Sequence, residues 1–218
     1  MKRAVIFING ELGDVSRLRL KKSDLLIGAD GGTKHILKLG LKPNIIIGDL
    51  DSIKAVPKDT PVIQFPVDKD KTDTELALEY VVKLGYKEVV LIGFLGRRLD
   101  HMVSNLMLLA SMPIKITIIE GNQEMFFCRD KLNISGKKND LVSLIPLLGD
   151  CQGVTTVGLK WSLQVRNLQV SSSRGVSNVM LGKSARVGLK TGCLLVIHTY
   201  RDQPWRSWIF NPMYLVLW

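Results

Sequence analysis

The chain is 218 residues long, 46% apolar and 23% charged, with a net charge of +10, which fits a globular protein with one large core or two modest ones. No run approaches the ~18 apolar residues of a membrane span, and MKRAVIFING has too short an apolar stretch, and no small-residue cleavage site, for a signal peptide. Cys128, Cys151 and Cys193 are odd in number and widely spaced, which argues against a disulfide framework or a zinc site and for a reducing, cytoplasmic setting.

In chain order, short apolar runs open the sequence: AVIFIN, LLIGAD, NIIIGD, PVIQFP, EVVLIGF and KITIIEG. Helical patterns separate several of them. TDTELALEYVVKLG places Leu76, Ala77, Tyr80, Val81 and Leu84 on one face, with Thr72 and Glu75 as a capping box. DHMVSNLMLLASM has Asp100 placed as its cap, and Pro113 closes it. Continuous apolar strands alternating with helices predict a parallel sheet covered on both faces. After Gly121 the texture changes to β-rich segments, LVSLIPL, VTTVGLKWSL, QVRNLQV, SARVGL and CLLVIHTY, separated by Gly, Asn and Ser. The expected organisation is an α/β, Rossmann-like parallel-sheet domain over 1–124 and a β-sandwich over 125–218. The tail RDQPWRSWIFNPMYLVLW holds three of the four tryptophans and reads as an added strand, an interface cover or an irregular end.

Charge follows the same division. Seven of the twenty acids lie between Asp49 and Glu75, whereas Cys151 through Arg201 contains seven bases and no acid. The basic half lacks a Lys/Arg run, a helix-turn-helix pattern or an aromatic stacking series. A solubilising surface, or a neighbouring polyphosphate, therefore explains it better than a nucleic-acid groove.

Ligands of open parallel sheets bind beyond the carboxyl ends of the strands. Here LLIGAD ends on Asp30 followed by Gly31 and Gly32, and NIIIGD on Asp49, then Asp51 and Ser52. PVIQFP leads to Asp68, Lys69, Asp70, Lys71 and Asp73; EVVLIGF leads to Gly96, Arg97, Arg98, Asp100 and His101. Each residue alone has a structural explanation as a turn, cap or first-turn acid. Four strand ends carrying acids and arginines toward one edge argue for a site. Its donors are all oxygen, which suits Mg²⁺ with substrate phosphates, and an arginine fork suits phosphate oxygens. With no GxxxxGK[ST] loop and no kinase HRD or DFG set, the common ATPase and protein-kinase folds are excluded.

ADGGTKHILKLGLKPNIIIGDLDSI, DKDKTDTELAL, GRRLDHMVSNLMLL, and GLKWSL followed by GVSN resemble, in order and spacing, the thiamine pyrophosphokinase family. The resemblance spans roughly Ala29 to Ile197. It implies an α/β domain, a C-terminal β-sandwich, and a homodimer with thiamine bound near the subunit interface. The implied reaction moves the pyrophosphoryl group of ATP to the hydroxyl of thiamine, giving thiamine diphosphate and AMP. Asp49, Asp51 and Asp73 match the metal-binding, catalytic aspartates, with Asp51 also toward substrate, while Asp30 and Gly31 match the DGG element. Arg98 and Asp100 match catalytic residues on the nucleotide side, with His101 beside them; Ser177 and Asn178 match the thiamine-side pair, and Lys69 a residue near substrate. Arg97 stands where the family usually has glycine. Trp161 reads equally as an aromatic wall for thiamine or as a core tryptophan. The rival readings are a metal-dependent nucleotide-sugar glycosyltransferase and a nucleic-acid-binding protein with a basic β domain; membrane binding is not expected.

Overall fold

A computed structural model describes residues 2–53 and 56–201. The Trp-rich tail beyond Arg201, with each of its three sequence-based readings, lies outside the described residues. The architecture is mixed α/β, and the chain divides into two compact units between Phe127 and Cys128. No helix among the described residues is long and apolar enough to cross a membrane.

The first unit contains β1 (Arg3–Phe7), β2 (Leu25–Ala29), α1 (Thr33–Lys38), β3 (Ile45–Gly48), β4 (Val62–Gln64), α2 (Asp73–Lys83), β5 (Glu88–Ile92), α3 (Leu99–Ser111), β6 (Lys115–Glu120) and β7 (Gln123–Cys128). Its strands lie in the order β4-β3-β2-β1-β5-β6-β7, all parallel except β7, which runs back antiparallel to β6. Both faces of β1 are dry. Val5 and Phe7 pack with Ile36 of α1, Val90 and Ile92, while Ala4 and Ile6 are equally inaccessible on the other face. The chain steps outward from β1 to β4 and then returns to place β5 on the opposite side of β1. Strand order thus reverses between β1 and β5, the position where such sheets open a crevice.

Two helices differ from expectation. Thr72 caps α2, its hydroxyl accepting from the Glu75 N–H at 3.2 Å. The helix, however, buries Thr74, Ala77, Leu78 and Val81, and Leu84 is 46% exposed. The inward face is therefore rotated from the predicted one, because apolar side chains surround this helix and the sheet selects among them. In α3 the cap position belongs to Arg98, without a side-chain capping bond; Asp100 lies in the first turn and is not the cap.

The second unit holds β8 (Lys131–Ser135), β9 (Leu141–Val157), β10 (Arg166–Leu168), β11 (Asn178–Val179), β12 (Ser184–Gly188) and β13 (Thr191–Thr199). β9 is one long strand where the sequence suggests two segments. Leu148 at φ 61 and Gly149 at φ 129 bend it without ending it. Its first half pairs with β13 and its last residues with β12, which in turn pairs with β8, all antiparallel. At the start of β9 a buried carboxylate, Asp140, accepts from His198 Nε2 at 3.0 Å and from the Lys137 and Arg201 N–H groups.

Candidate active site

The carboxyl ends of β1, β2, β3 and β5, with the segment entering α2 and the first turns of α3, line one cavity of about 570 Å³. Asp30, Asp49, Asp51, Asp73, Arg97, Arg98 and His101 all contribute to its wall. Residues from four separate loops are therefore brought together at one edge of the sheet.

Each acid is delivered by a local device. β2 stops at Ala29, and one 3-10 turn, Asp30–Gly32, leads into α1. A Cβ on Gly32 would lie 2.0 Å from the Phe7 carbonyl oxygen, so the turn can lie against β1 only with glycine there, and one on Gly31 would lie 2.4 Å from the Asn9 side chain, which would have to move aside. The turn holds Asp30 at φ 44, a strained value for a side-chain-bearing residue, with 4% exposure. At the end of β3, Gly48 sits at φ 153, and a Cβ would come 2.8 Å from that of Asp30 and 3.2 Å from the Asp73 carboxyl carbon. Glycine there lets the acids approach.

Asp30, Asp49 and Asp51 each offer a carboxylate oxygen, all within 4.8 Å of one another. Asp73, expected as a metal ligand with Asp49 and Asp51, lines the same cavity and shares a lysine with Asp49. Lys69 donates to Asp49 Oδ2 at 2.6 Å and lies 3.2 Å from Asp73 Oδ1. The Lys69 hydrogen bond, foremost, holds the Asp49 carboxyl below the usual range. Burial, foremost, pushes Asp73 up; repulsion from Asp49 and Asp30 adds to this against the pull of Lys69. The Asp30 Oδ1 atom is buried without a hydrogen-bond partner. A carboxylate oxygen that has lost water and gained no donor fits a hard divalent cation.

Arg98 and Asp100 form an exposed bidentate pair, 2.9 Å from Nε and 2.6 Å from the guanidinium terminus. The arginine holds the Asp100 carboxyl far below the usual range. Arg97 is 95% exposed with Glu11 at 3.8 Å. Gly31, Lys69 and Asp100 do not line the cavity themselves: Gly31 shapes the turn, and the other two act through their charged partners. Ser177 and Asn178 belong to the second unit. There the Asn178 amide donates to the Trp161 carbonyl at 2.7 Å and accepts from the Trp161 N–H at 3.0 Å and the Val179 N–H at 2.9 Å. Trp161 is 56% exposed, so it is not a core residue; the Lys160 ammonium stands 4.9 Å from its ring centre.

Sequence reasoning missed the first strand end. Asn9, Gly10 and Glu11 line the cavity, and Asn9 links Lys34 (2.7 Å) to Ser52 (3.4 Å), whose hydroxyl donates to Asp51 at 2.8 Å. His35, buried and pushed down chiefly by desolvation, donates from Nε2 to the Gly10 carbonyl at 2.9 Å and so anchors that loop. The signal was available: AVIFING stops on Asn9-Gly10 as the other strands stop on Asp. Asn105, buried on α3, also lines the cavity and carried no such signal.

Fold and rim together define a class: an α/β protein that presents carboxylates and arginine at a sheet switch point, suited to a metal-bridged polyphosphate. Two family models match, "Thiamin pyrophosphokinase, catalytic domain" over residues 17–119 and "Thiamin pyrophosphokinase, vitamin B1 binding domain" over 130–194. Thiamine pyrophosphokinase of Bacillus subtilis is 28% identical over 186 residues, 80% of this chain and 87% of that protein. The crystal structure of thiamine pyrophosphokinase from Bacillus subtilis superposes with a TM-score of 0.82 at 25% identity, covering 92% of this chain and 100% of that one. Thiamin pyrophosphokinase from Candida albicans, 16% identical, shares the fold with a TM-score of 0.74 over 91% of this chain and 89% of its own. The chain belongs to the thiamine pyrophosphokinase family. The glycosyltransferase and nucleic-acid readings are set aside in its favour.

Proposed function

We propose that the protein transfers the pyrophosphoryl group of ATP to the hydroxyl of thiamine, releasing AMP. The observation that carries the reading is the convergence of Asp30, Asp49, Asp51, Asp73 and Arg98 on one cavity, in a chain whose second half matches a vitamin B1 binding domain. Asp30, Asp49 and Asp51, with Asp73 beside them, would hold Mg²⁺, which supplies charge neutralisation for the triphosphate when bound. Arg98 leaves Asp100 for phosphate oxygens, a shift of charged hydrogen bonds between two exposed partners. His101 and the Gly96 turn flank the nucleotide. Asn9 and Ser52 hold Asp51 in place, and Asp73, made more basic by burial, accepts the proton of the attacking hydroxyl.

The finer architecture, a Rossmann-like domain followed by a β-sandwich, belongs to the same proposal. It is supported by the strand-order reversal at β1/β5 and by β9, which passes from β13 to β12. So do a cytoplasmic site of action, supported by three buried free thiols, and a homodimer. The dimer is supported by the exposed stripe of Leu99, Val103 and Met107 on α3. Ser177, Asn178 and Trp161 form the thiamine side. The test is a single assay: purified protein with ATP, Mg²⁺ and thiamine releases AMP in step with thiamine diphosphate. Formation of ADP, or turnover indifferent to thiamine, overturns the reading.

A further inference from the structure

Four carboxylates crowd the rim, and the ammonium of Lys69 sits among them. It is 14% exposed, 2.6 Å from Asp49 and 3.2 Å from Asp73. Lys69 precedes Asp73 by four residues, yet Asp73 is the first residue of α2, so the lysine lies outside the helix and reaches back across its entrance to β3. This is not an ordinary surface pair: it joins two chain segments beside the buried, unpartnered Asp30 Oδ1. Asp49 is also one of the three carboxylates within 4.8 Å of one another. A single carboxylate therefore serves both the lysine and the candidate cation site, with its Oδ2 given to Lys69 at a short distance.

We propose that Lys69 is an exchangeable counter-cation: it neutralises the rim when no metal is bound, and a divalent ion must displace it from Asp49 to enter. The inference rests on the metal reading given above and adds to it a cost of entry borne by a named residue. Like charges at this spacing repel unless a cation lies between them. Replacing one cation by another keeps the rim compensated throughout and leaves the released ammonium on a flexible four-carbon stem beside the cavity. The competing role is preorganisation, in which Lys69 clamps Asp49 and Asp73 in the geometry the ion needs. The two roles differ in sign. A competitor, when removed, strengthens metal binding; a clamp, when removed, weakens it.

The experiment is a Mn²⁺ titration of the full-length protein without nucleotide, followed by electron paramagnetic resonance of the free ion, for wild type, Lys69→Met and Lys69→Arg. Lys69→Met removes the charge and keeps the length. It should bind Mn²⁺ about tenfold more tightly, within the usual range of coupling between linked sites, and should lose thermal stability without metal and recover it with Mn²⁺. Lys69→Arg keeps the charge with a stronger fork and should bind no more tightly than wild type, which preserves a readout if Lys69→Met folds poorly. Lys69→Met binding equal to or weaker than wild type overturns the exchange, as does Lys69→Arg binding more tightly. Absence of Mn²⁺ binding by all three proteins would overturn the metal reading beneath it as well.

Discussion

Asn178 turns its carboxamide to the main chain, the oxygen accepting from the Trp161 and Val179 N–H groups and the nitrogen donating to the Trp161 carbonyl. The segment after it already forms a ladder with its neighbour: Lys160 donates to the Val179 carbonyl and Leu181 to that of Gly158. At Ser177, φ is 61, so the backbone turns away, and the side-chain amide of Asn178 supplies the next rung by imitating a peptide group toward Trp161. Asn178→Ala should therefore leave two Trp161 backbone groups without their partners and cost about 1–3 kcal/mol, seen as a lower thermal midpoint. Asn178→Asp, which keeps only the acceptor, should lie between. A pH effect belongs to this scale too. Arg3 Nε donates to Asp24 at 3.0 Å. Burial pushes the Asp24 carboxyl up, but the Arg3 hydrogen bond, the Lys21 N–H and both positive charges outweigh it, and the net direction is down. A carboxyl lowered by folding contributes stability above its unfolded pKa of about 3.9 and loses it as pH falls through the lower folded value. Thermal melts of wild type and Asp24→Asn should differ at pH 7 and converge below about pH 4. A constant gap would place the effect in packing instead.

The N-terminus of α3 shows an element shaped against its own stability. Helix starts favour Ser, Thr, Asp or Asn, whose side chains bond the free N–H groups, yet Arg98 occupies that position with no such bond. Arg98→Asn should gain about 0.5–2 kcal/mol of helix stability and lose catalytic efficiency by about 10²-fold, the scale of removing one charge-stabilising donor. Paired thermal melts and kinetics measure the trade. Unchanged catalytic efficiency would show that Arg98 has no part in the phosphate chemistry, and a lower thermal midpoint would show that Arg98 does not cost the helix stability. What the sequence disclosed follows from how elements form. Parallel strands are apolar on both faces and stop abruptly, so the carboxyl ends bearing Asp30 and Asp49 were readable, and the Thr72 cap is a local motif. What it concealed depends on tertiary contact. The α2 sequence alternates Leu76, Leu78 and Tyr80, and only the sheet decides that Leu78 faces inward. Asp100 has the chemistry of a cap but is captured by Arg98. β9 continues through Gly149 because β13 and β10 pair on either side of the bend. Lys69 looked like a substrate contact, and its hold on both Asp49 and Asp73 exists only once β3 and α2 are adjacent.

At the scale of the whole molecule the charge is +10, which predicts attraction for a polyanion such as ATP, whereas the rim carries Asp30, Asp49, Asp51 and Asp73 with Lys69 already committed among them. The two fields oppose each other, and distance decides between them. Screening at about 0.1 M salt acts over roughly 10 Å, so the net charge of the whole chain acts weakly on a triphosphate in the cavity, whereas the carboxylates lining that cavity act at close range. Arg97 and Arg98 both line the cavity, but Arg97 is 95% exposed beside Glu11 and Arg98 is 70% exposed and shared with Asp100, which limits what they offer before phosphate arrives. The local field therefore prevails: the protein should bind ATP poorly in EDTA and at least about tenfold more tightly with Mg²⁺, a gain of at least about 1.4 kcal/mol. Calorimetric titrations at 0.1 M salt, with and without the ion, measure the difference. Equal affinities would mean that arginine and backbone amides hold the triphosphate unaided, and that the acids of the rim serve thiamine and its proton rather than a cation bridging to phosphate.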